Sequence, residues 1–229
     1  MRDVPKKKRR RASGPEAKTA RRKQILDAAS TLFDTHPYRS VTMAAIAREA
    51  GLAKGTTYIY FKTKEGLFLE VITEEVDRWY SDLNRAMHAV QPPVGPPAMA
   101  EILAESLSAR PSMLRLLSLL HGVLEQNISL EMALKYKRLL RAHLLSCGER
   151  FEVLMPHLKP GDGARLLQHL QACVVGYFQA TTPPPAVALA FQEKDLTMFK
   201  MDFYTELRYA ITMVLTGVET TAHKAENRD

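Results

Sequence analysis

The side chains with chemistry to offer fall into three groups. Lys54, Thr56, Tyr58 and Tyr60 place four hydrogen-bond donors within seven residues, with Gly55 among them. Such donors suit phosphate oxygens and base edges, and a residue without Cβ lets a backbone approach a sugar-phosphate chain closely. Upstream lie the cations Arg21, Arg22 and Lys23, and before them the block Pro5-Lys6-Lys7-Lys8-Arg9-Arg10-Arg11. A block of like charges repels itself and stays extended; it fits a phosphate-binding arm, a localisation cluster, or a tail with neither role. The third group is spread through an apolar background. His121 and Glu125 are four residues apart, as are His169 and Cys173, and Tyr136 and Tyr177 add hydroxyls.

Residues four apart share a helix face, so each pair could orient a small ligand in a concave apolar site. The same nitrogen, oxygen and sulfur atoms could hold a metal, or be satisfied buried groups and surface pairs. No third spaced ligand accompanies either pair, so neither a metal nor another cofactor is expected. The chain has no G-x-S-x-G elbow, H-E-x-x-H helix, phosphate-binding loop or G-x-G-x-x-G turn. No catalytic residue is assigned and an enzyme is not expected. One built on the His, Glu and Cys groups is the least supported alternative.

Composition agrees with a folded protein that meets an anion. The 229 residues are 46% hydrophobic and 25% charged, with a net charge of +7. That charge is lopsided. Residues 1–66 hold 16 Lys and Arg against 6 Asp and Glu, a charge of +10, and the rest of the chain is at −3. A cationic front end on a mildly acidic body is the footprint of a nucleic-acid or anionic-surface binder. Two cysteines make no disulfide framework, the basic amino terminus is followed by no apolar segment, and the richest apolar stretch is broken by Arg115 and His121. The expectation is a cytoplasmic protein with no membrane partner.

Helical spacing runs almost throughout. After Thr19 as a cap, Ile25, Ala29, Leu32 and Phe33 share a face, and Pro37 ends that helix. Thr42 caps a short second helix closed by Gly51, and a third covers about 54–60. Thr63 caps a long fourth helix with Phe68, Val71, Val76, Trp79, Leu83 and Met87 on one stripe. After the proline-rich break at 91–97, helices are expected near 98–109, 111–127, 130–155, 162–180 and 199–219. This is an all-α chain of about nine helices. The second and third make a helix-turn-helix over about 41–60. We expect a basic arm at 1–17, a DNA-binding domain at 18–78 and a larger helical domain at 79–229. In the last two helices Leu167, Leu170 and Val174, with Phe203, Leu207, Ile211 and Leu215, form apolar stripes expected to meet their symmetry mates in a homodimer.

The stretches Arg22-Lys23-Gln24-Ile25-Leu26-Asp27-Ala28-Ala29, Thr42-Met43-Ala44-Ala45-Ile46-Ala47 and Lys54-Gly55-Thr56-Thr57-Tyr58-Ile59-Tyr60-Phe61-Lys62-Thr63-Lys64-Glu65-Gly66-Leu67 resemble the tetracycline-repressor (TetR) family of transcriptional regulators. The resemblance is specific over about 19–70. It implies a three-helix DNA-binding headpiece, a connecting helix, and a larger domain that dimerises and holds an effector. By position, Tyr58 and Tyr60 match family residues that touch phosphates or bases, and Lys64 matches a phosphate-binding lysine. Thr42 matches a cap that also reaches phosphate, and Lys54, Gly55 and Thr56 lie where bases are read. Thr57 matches a core position; Ala53 departs from the Ser or Thr that often caps the recognition helix. The implied function is a ligand-responsive dimeric repressor, released from a palindromic double-stranded operator by a small hydrophobic molecule. A constitutive or activating helix-turn-helix dimer without an effector is the alternative.

Overall fold

The computed structural model describes residues 14–226, with side chains as far as Ala222. The basic block at 5–11 and most of the expected arm therefore lie outside the described residues. Among the described residues there are ten α-helices, three short 3-10 turns and no strand. The chain divides into two compact units, the first ending at Val71 and the second starting at Ile72.

The first unit is built from α1 (Pro15–Thr35), a 3-10 turn (Tyr38–Ser40), α2 (Met43–Glu49), α3 (Lys54–Tyr60) and the start of α4 (Lys64–His88). Its boundaries are set by local chemistry. The Thr42 hydroxyl accepts the amide of Ala45 at 3.1 Å, and that of Thr63 accepts the amide of Gly66 at 3.0 Å. Each satisfies one of the amides a helix start leaves unpaired. Gly51 turns the chain between α2 and α3 at φ +62°, a conformation that costs an L side chain energy. Thr19 is not a cap: α1 starts at Pro15, four residues earlier, and the Thr19 hydroxyl donates back to the Pro15 carbonyl within the helix. Proline suits that first position because its missing amide has no partner there anyway. Ile25, Ala29, Ile46, Leu67 and Phe68 are buried in the core, where Phe68 meets Phe33 and, edge-on, Tyr38.

The second unit holds the rest of α4 with α5 (Pro96–Ser108), α6 (Pro111–Leu120), α7 (Leu130–Leu154), α8 (Asp162–Thr181), α9 (Pro185–Ala190) and α10 (Phe203–Glu226). Helix α10 packs on α5 and α8, α7 on α8, and α6 on α8. Ser129 caps α7 as its position predicts, its hydroxyl accepting the Met132 amide. Arg150 of α7 donates to the carbonyls of Met87 and Val90 at 3.0 and 2.8 Å, satisfying acceptors at the end of α4. Helix α6 is shorter than its apolar pattern predicts: it stops at Leu120, and Leu124–Asn127 is a separate 3-10 turn. Gly122 follows the stop, and glycine is among the weakest helix formers. Helix α9, of six residues, was not expected and buries none of them.

Candidate nucleic-acid interface and ligand cavity

Helix α3 has one buried side and one open side. Thr57 is fully buried, which sets that side toward the core, and its hydroxyl donates to the Lys54 carbonyl of the same helix at 2.7 Å. The opposite side carries Gly55 and Ile59, which are exposed together with Tyr58 and the helix-start Lys54, while Thr56 and Tyr60 are half-buried. Nothing lies within 4 Å of where a Cβ on Gly55 would point, so a sugar-phosphate chain could approach there. The ammonium groups of Lys54 and Lys62 and the guanidinium groups of Arg39 and Arg48 find no acceptor among the described residues. Four exposed cations without a carboxylate partner can neutralise phosphates without first breaking an ion pair. Ile59 is 73% exposed. An apolar side chain on that face suits the methyl group of thymine.

Two cations expected at this surface are engaged inside the unit. Arg22 forms a two-pronged ion pair with Glu70 of α4, with Nε to Oε2 at 3.0 Å and Nη2 bound to Oε1. Its Nη1 donates to the Tyr60 carbonyl at 3.2 Å, and its guanidinium lies 4.3 Å from the Phe61 ring centre. Arg22 thus ties α1 to the last turn of α3 and to α4. Lys64 is engaged likewise. Its Nζ donates to the carbonyls of Tyr38 and Val41 at 2.9 and 3.0 Å and sits 3.8 Å from the Tyr38 ring centre. Burial pulls the Lys64 ammonium below its usual value, and Glu65 alongside pushes it back. Arg21 donates to Gln24, and Lys23 pairs with Asp27 at 2.8 Å on the exposed side of α1. The Thr42 hydroxyl is occupied as a cap but remains at the surface.

The second unit contains an apolar cavity of about 30 Å³ between α4, α5, α6, α7, α8 and α10. Of the six residues expected around a ligand, only Tyr136 lines it. His121, Glu125, His169, Cys173 and Tyr177 lie outside its lining. The reason for the first pair is visible. His121 Nδ1 meets Glu125 Oε2 at 2.8 Å, but Lys137 also reaches Glu125 at 2.6 Å, and the three form a surface ion cluster. Burial would raise the Glu125 carboxyl, yet hydrogen bonds from Lys137 and His121 outweigh it and hold the group below the usual value. His169 is exposed, while Cys173 and Tyr177 are half-buried. Among the described residues no three His, Cys, Asp or Glu side chains come together as a metal site. The periodicity marked Trp79 as core and passed over Tyr80 and Gln171, and all three line the cavity.

Both units match known families in sequence. Residues 25–71 match the model of "Bacterial regulatory proteins, tetR family", and residues 73–222 match "Tetracyclin repressor-like, C-terminal domain". The second match alone covers more than half of the chain. The protein belongs to the TetR family. That family consists of transcriptional regulators rather than enzymes. The transcriptional repressor KstR of Mycolicibacterium smegmatis is 38% identical over 73 residues, 32% of this chain and 36% of KstR. A regulator of Bacillus subtilis, YhgD, is 38% identical over 72 residues, 31% of this chain and 38% of YhgD. These alignments thus span little more than a third of the relatives' length. Among solved structures, the fatty acid degradation regulator FadR of Bacillus halodurans shares the fold at a TM-score of 0.52, with 21% identity over 90% of this chain and 96% of FadR. FadR of Bacillus subtilis, solved with stearoyl-CoA, gives 0.51 with 19% identity, over 84% and 96% of the two chains.

In this TetR-family chain most of the residues expected at a dimer interface also pack within the single chain. Leu167, Leu170, Val174, Leu207, Ile211 and Leu215 are buried within one chain. Phe203 is half-buried and packs edge-on against Phe178 at 5.7 Å. Helices α8 and α10 each carry apolar residues on two sides, and the longer stripe belongs to the core of the unit. The open side of α10 shows Tyr209 at 63% exposure, Met213 at 58% and Val214 at 37%. Among the described residues, no helix is long and apolar enough to cross a membrane.

Proposed function

We propose that the chain is a dimeric repressor that binds a palindromic operator and is released from it by a small apolar effector. The observation that carries this reading is the open side of α3, where Lys54, Tyr58 and Ile59 stand exposed on a helix that buries Thr57. A helix of this kind reads base edges from the major groove while nearby cations hold phosphates. Lys54, Gly55, Thr56, Tyr58 and Tyr60 are proposed as the reading residues, with Ile59 added. Lys62, Arg39, Arg48 and Thr42 are proposed as phosphate contacts, together with Arg21 and Lys23 at the start of α1. The repressor KstR supports repression, and a FadR solved with stearoyl-CoA supports a small-molecule ligand.

The partner surface proposed for the second copy is the open side of α10, Tyr209, Met213 and Val214, beside Cys173 and Gly176 of α8. A single headpiece offers roughly 600–1,000 Å² to DNA, so two per duplex are needed for tight and specific binding. Helix α4 supplies Lys64 and Glu70 to the first unit and Val76, Trp79 and Tyr80 to the cavity of the second, which makes it the proposed route of coupling.

The test is sedimentation of the full-length protein with and without an operator fragment selected from genomic DNA. The expected result is a dimer alone and one dimer per duplex, on half-sites about 34–36 Å apart or a multiple of it. Met213→Glu is expected to give monomers that keep their helical spectrum. Monomers of the wild type at micromolar concentration, with and without DNA, would contradict the reading.

A further inference from the structure

The cavity of the second unit is chemically selective. Its lining contains no Lys, Arg, His, Asp or Glu, and its polar groups are few: the hydroxyls of Tyr80 and Tyr136, the Trp79 indole and the Gln171 amide stand among leucines, valines and an isoleucine. Tyr136 is 2% exposed, and its hydroxyl has no hydrogen-bond partner among the described residues. The amide of Gln171 likewise has none among them. A buried hydroxyl without a partner carries the full cost of its desolvation, and a ligand atom that accepts its proton removes that cost. By contrast, the Trp79 indole is already committed, donating to Ser106 at 3.1 Å.

The charges that exist nearby are elsewhere engaged. Glu125 is held by Lys137 and His121 at the surface, and its field acts on Tyr136, whose hydroxyl burial keeps protonated. A carboxylate entering the cavity would find no cation in its lining, and Lys137, 5.2 Å from the Tyr136 ring centre, is already bound by Glu125. An isolated ion in such a place is strongly disfavoured. The cavity is widened or narrowed by movement of the side chains that line it. Rotation of Leu103, Leu140 or Leu170 changes its volume and leaves this charge pattern as it is.

We infer that the cavity binds an uncharged, largely apolar compound through a carbonyl oxygen that accepts the Tyr136 hydroxyl proton, with Gln171 as the second polar contact. This rests on the effector reading above and narrows it to one ligand class. An anionic ligand such as a free fatty acid is excluded from the cavity. So is an acyl thioester whose phosphates would have to enter with the chain.

The chain has a single tryptophan, Trp79, and it lines the cavity, so its emission reports occupancy directly. The experiment titrates the full-length protein with 2-decanone, cyclododecanone and decanoate at pH 8, reading Trp79 emission and the melting temperature. At least one ketone is expected to shift both signals, and decanoate to bind at least ten-fold more weakly. Tyr136→Phe keeps the ring and the fold and is expected to weaken the ketone about five-fold while leaving decanoate unchanged, the usual worth of one neutral hydrogen bond. Decanoate binding as tightly as the ketones would overturn the inference, as would Tyr136→Phe binding a ketone unchanged, or no response to either ketone. The effector reading is judged separately, by operator release. A ketone that fills the cavity and leaves operator affinity unchanged supports the ligand class and contradicts that reading.

Discussion

Arg22→Ala is expected to loosen the headpiece and cost operator affinity without lowering the salt dependence of the binding that remains. Arg22 donates to both oxygens of Glu70 and to the Tyr60 carbonyl, so its removal leaves a carboxylate and a helix-end carbonyl unpartnered together. Breaking a buried ion pair from one side costs about 3–5 kcal/mol. Here the Arg22 side chain is 35% exposed and that of Glu70 15%, and screening brings the expectation down to about 2 kcal/mol. Amide hydrogen exchange in α3 should then quicken by about thirty-fold, since 1.36 kcal/mol is a factor of ten. Glu70→Ala separates the clamp from a phosphate contact. If Arg22 only braces α3, Glu70→Ala weakens operator binding in the same way and the slope of log K against log salt is kept. If Arg22 instead bound phosphate, freeing it from Glu70 would strengthen binding, and Arg22→Ala would lower the slope by about 0.9.

The second large effect is expected at Gly163→Ala. Helices α7 and α8 cross glycine on glycine: a Cβ on Gly163 would overlap the Gly148 carbonyl oxygen and lie 2.8 Å from its carbon. A Cβ on Gly148 would lie 2.5 Å from the Ala164 nitrogen and 2.9 Å from its Cα. These are backbone atoms, so no rotamer change relieves them and the helices must move apart. Overpacking usually costs about 1–3 kcal/mol, and a backbone clash belongs at or above the top of that range. The same pair of helices carries Tyr136, Leu167, Leu170 and Gln171 around the cavity, so the melting temperature and ligand binding should fall together. Gly176→Ala on α8 is the contrast. Its Cβ meets nothing within 4 Å inside the chain, and alanine is the better helix former by roughly 0.8–1.0 kcal/mol. A Gly163→Ala protein that melts like the wild type would show that α7 and α8 are packed differently.

What could be read from sequence was local or periodic. Thr42, Thr63 and Ser129 announce helix starts because a cap acts within three residues, and Gly51 announces a turn because its φ is positive. The turn before the recognition helix was legible for the same reason, whereas the core position of Thr57 came from the family resemblance. The roles of Arg22 and Lys64 were not legible. Glu70 is 48 residues from Arg22, and Lys64 reaches carbonyls 23 and 26 residues away. A cation bound to a distant partner and one left open to solvent look alike in sequence. The dimer surface was not legible because α8 and α10 are apolar on two sides, and periodicity alone does not tell a core from an interface. Ile59 has a faint signal in hindsight. It lies four residues after Gly55 on the face opposite Thr57, where a buried apolar residue would not be placed.

The central claim is that the open stripe of α3 reads DNA sequence, and selection from a random duplex pool tests it most directly, with wild type and Lys54→Ala side by side. The wild type is expected to enrich a palindromic motif. Lys54→Ala is expected to enrich the same palindrome with preference relaxed at one position in each half-site, the cost of one base contact being about 1–3 kcal/mol. An unaltered motif for Lys54→Ala, or no enrichment by the wild type, would contradict the account.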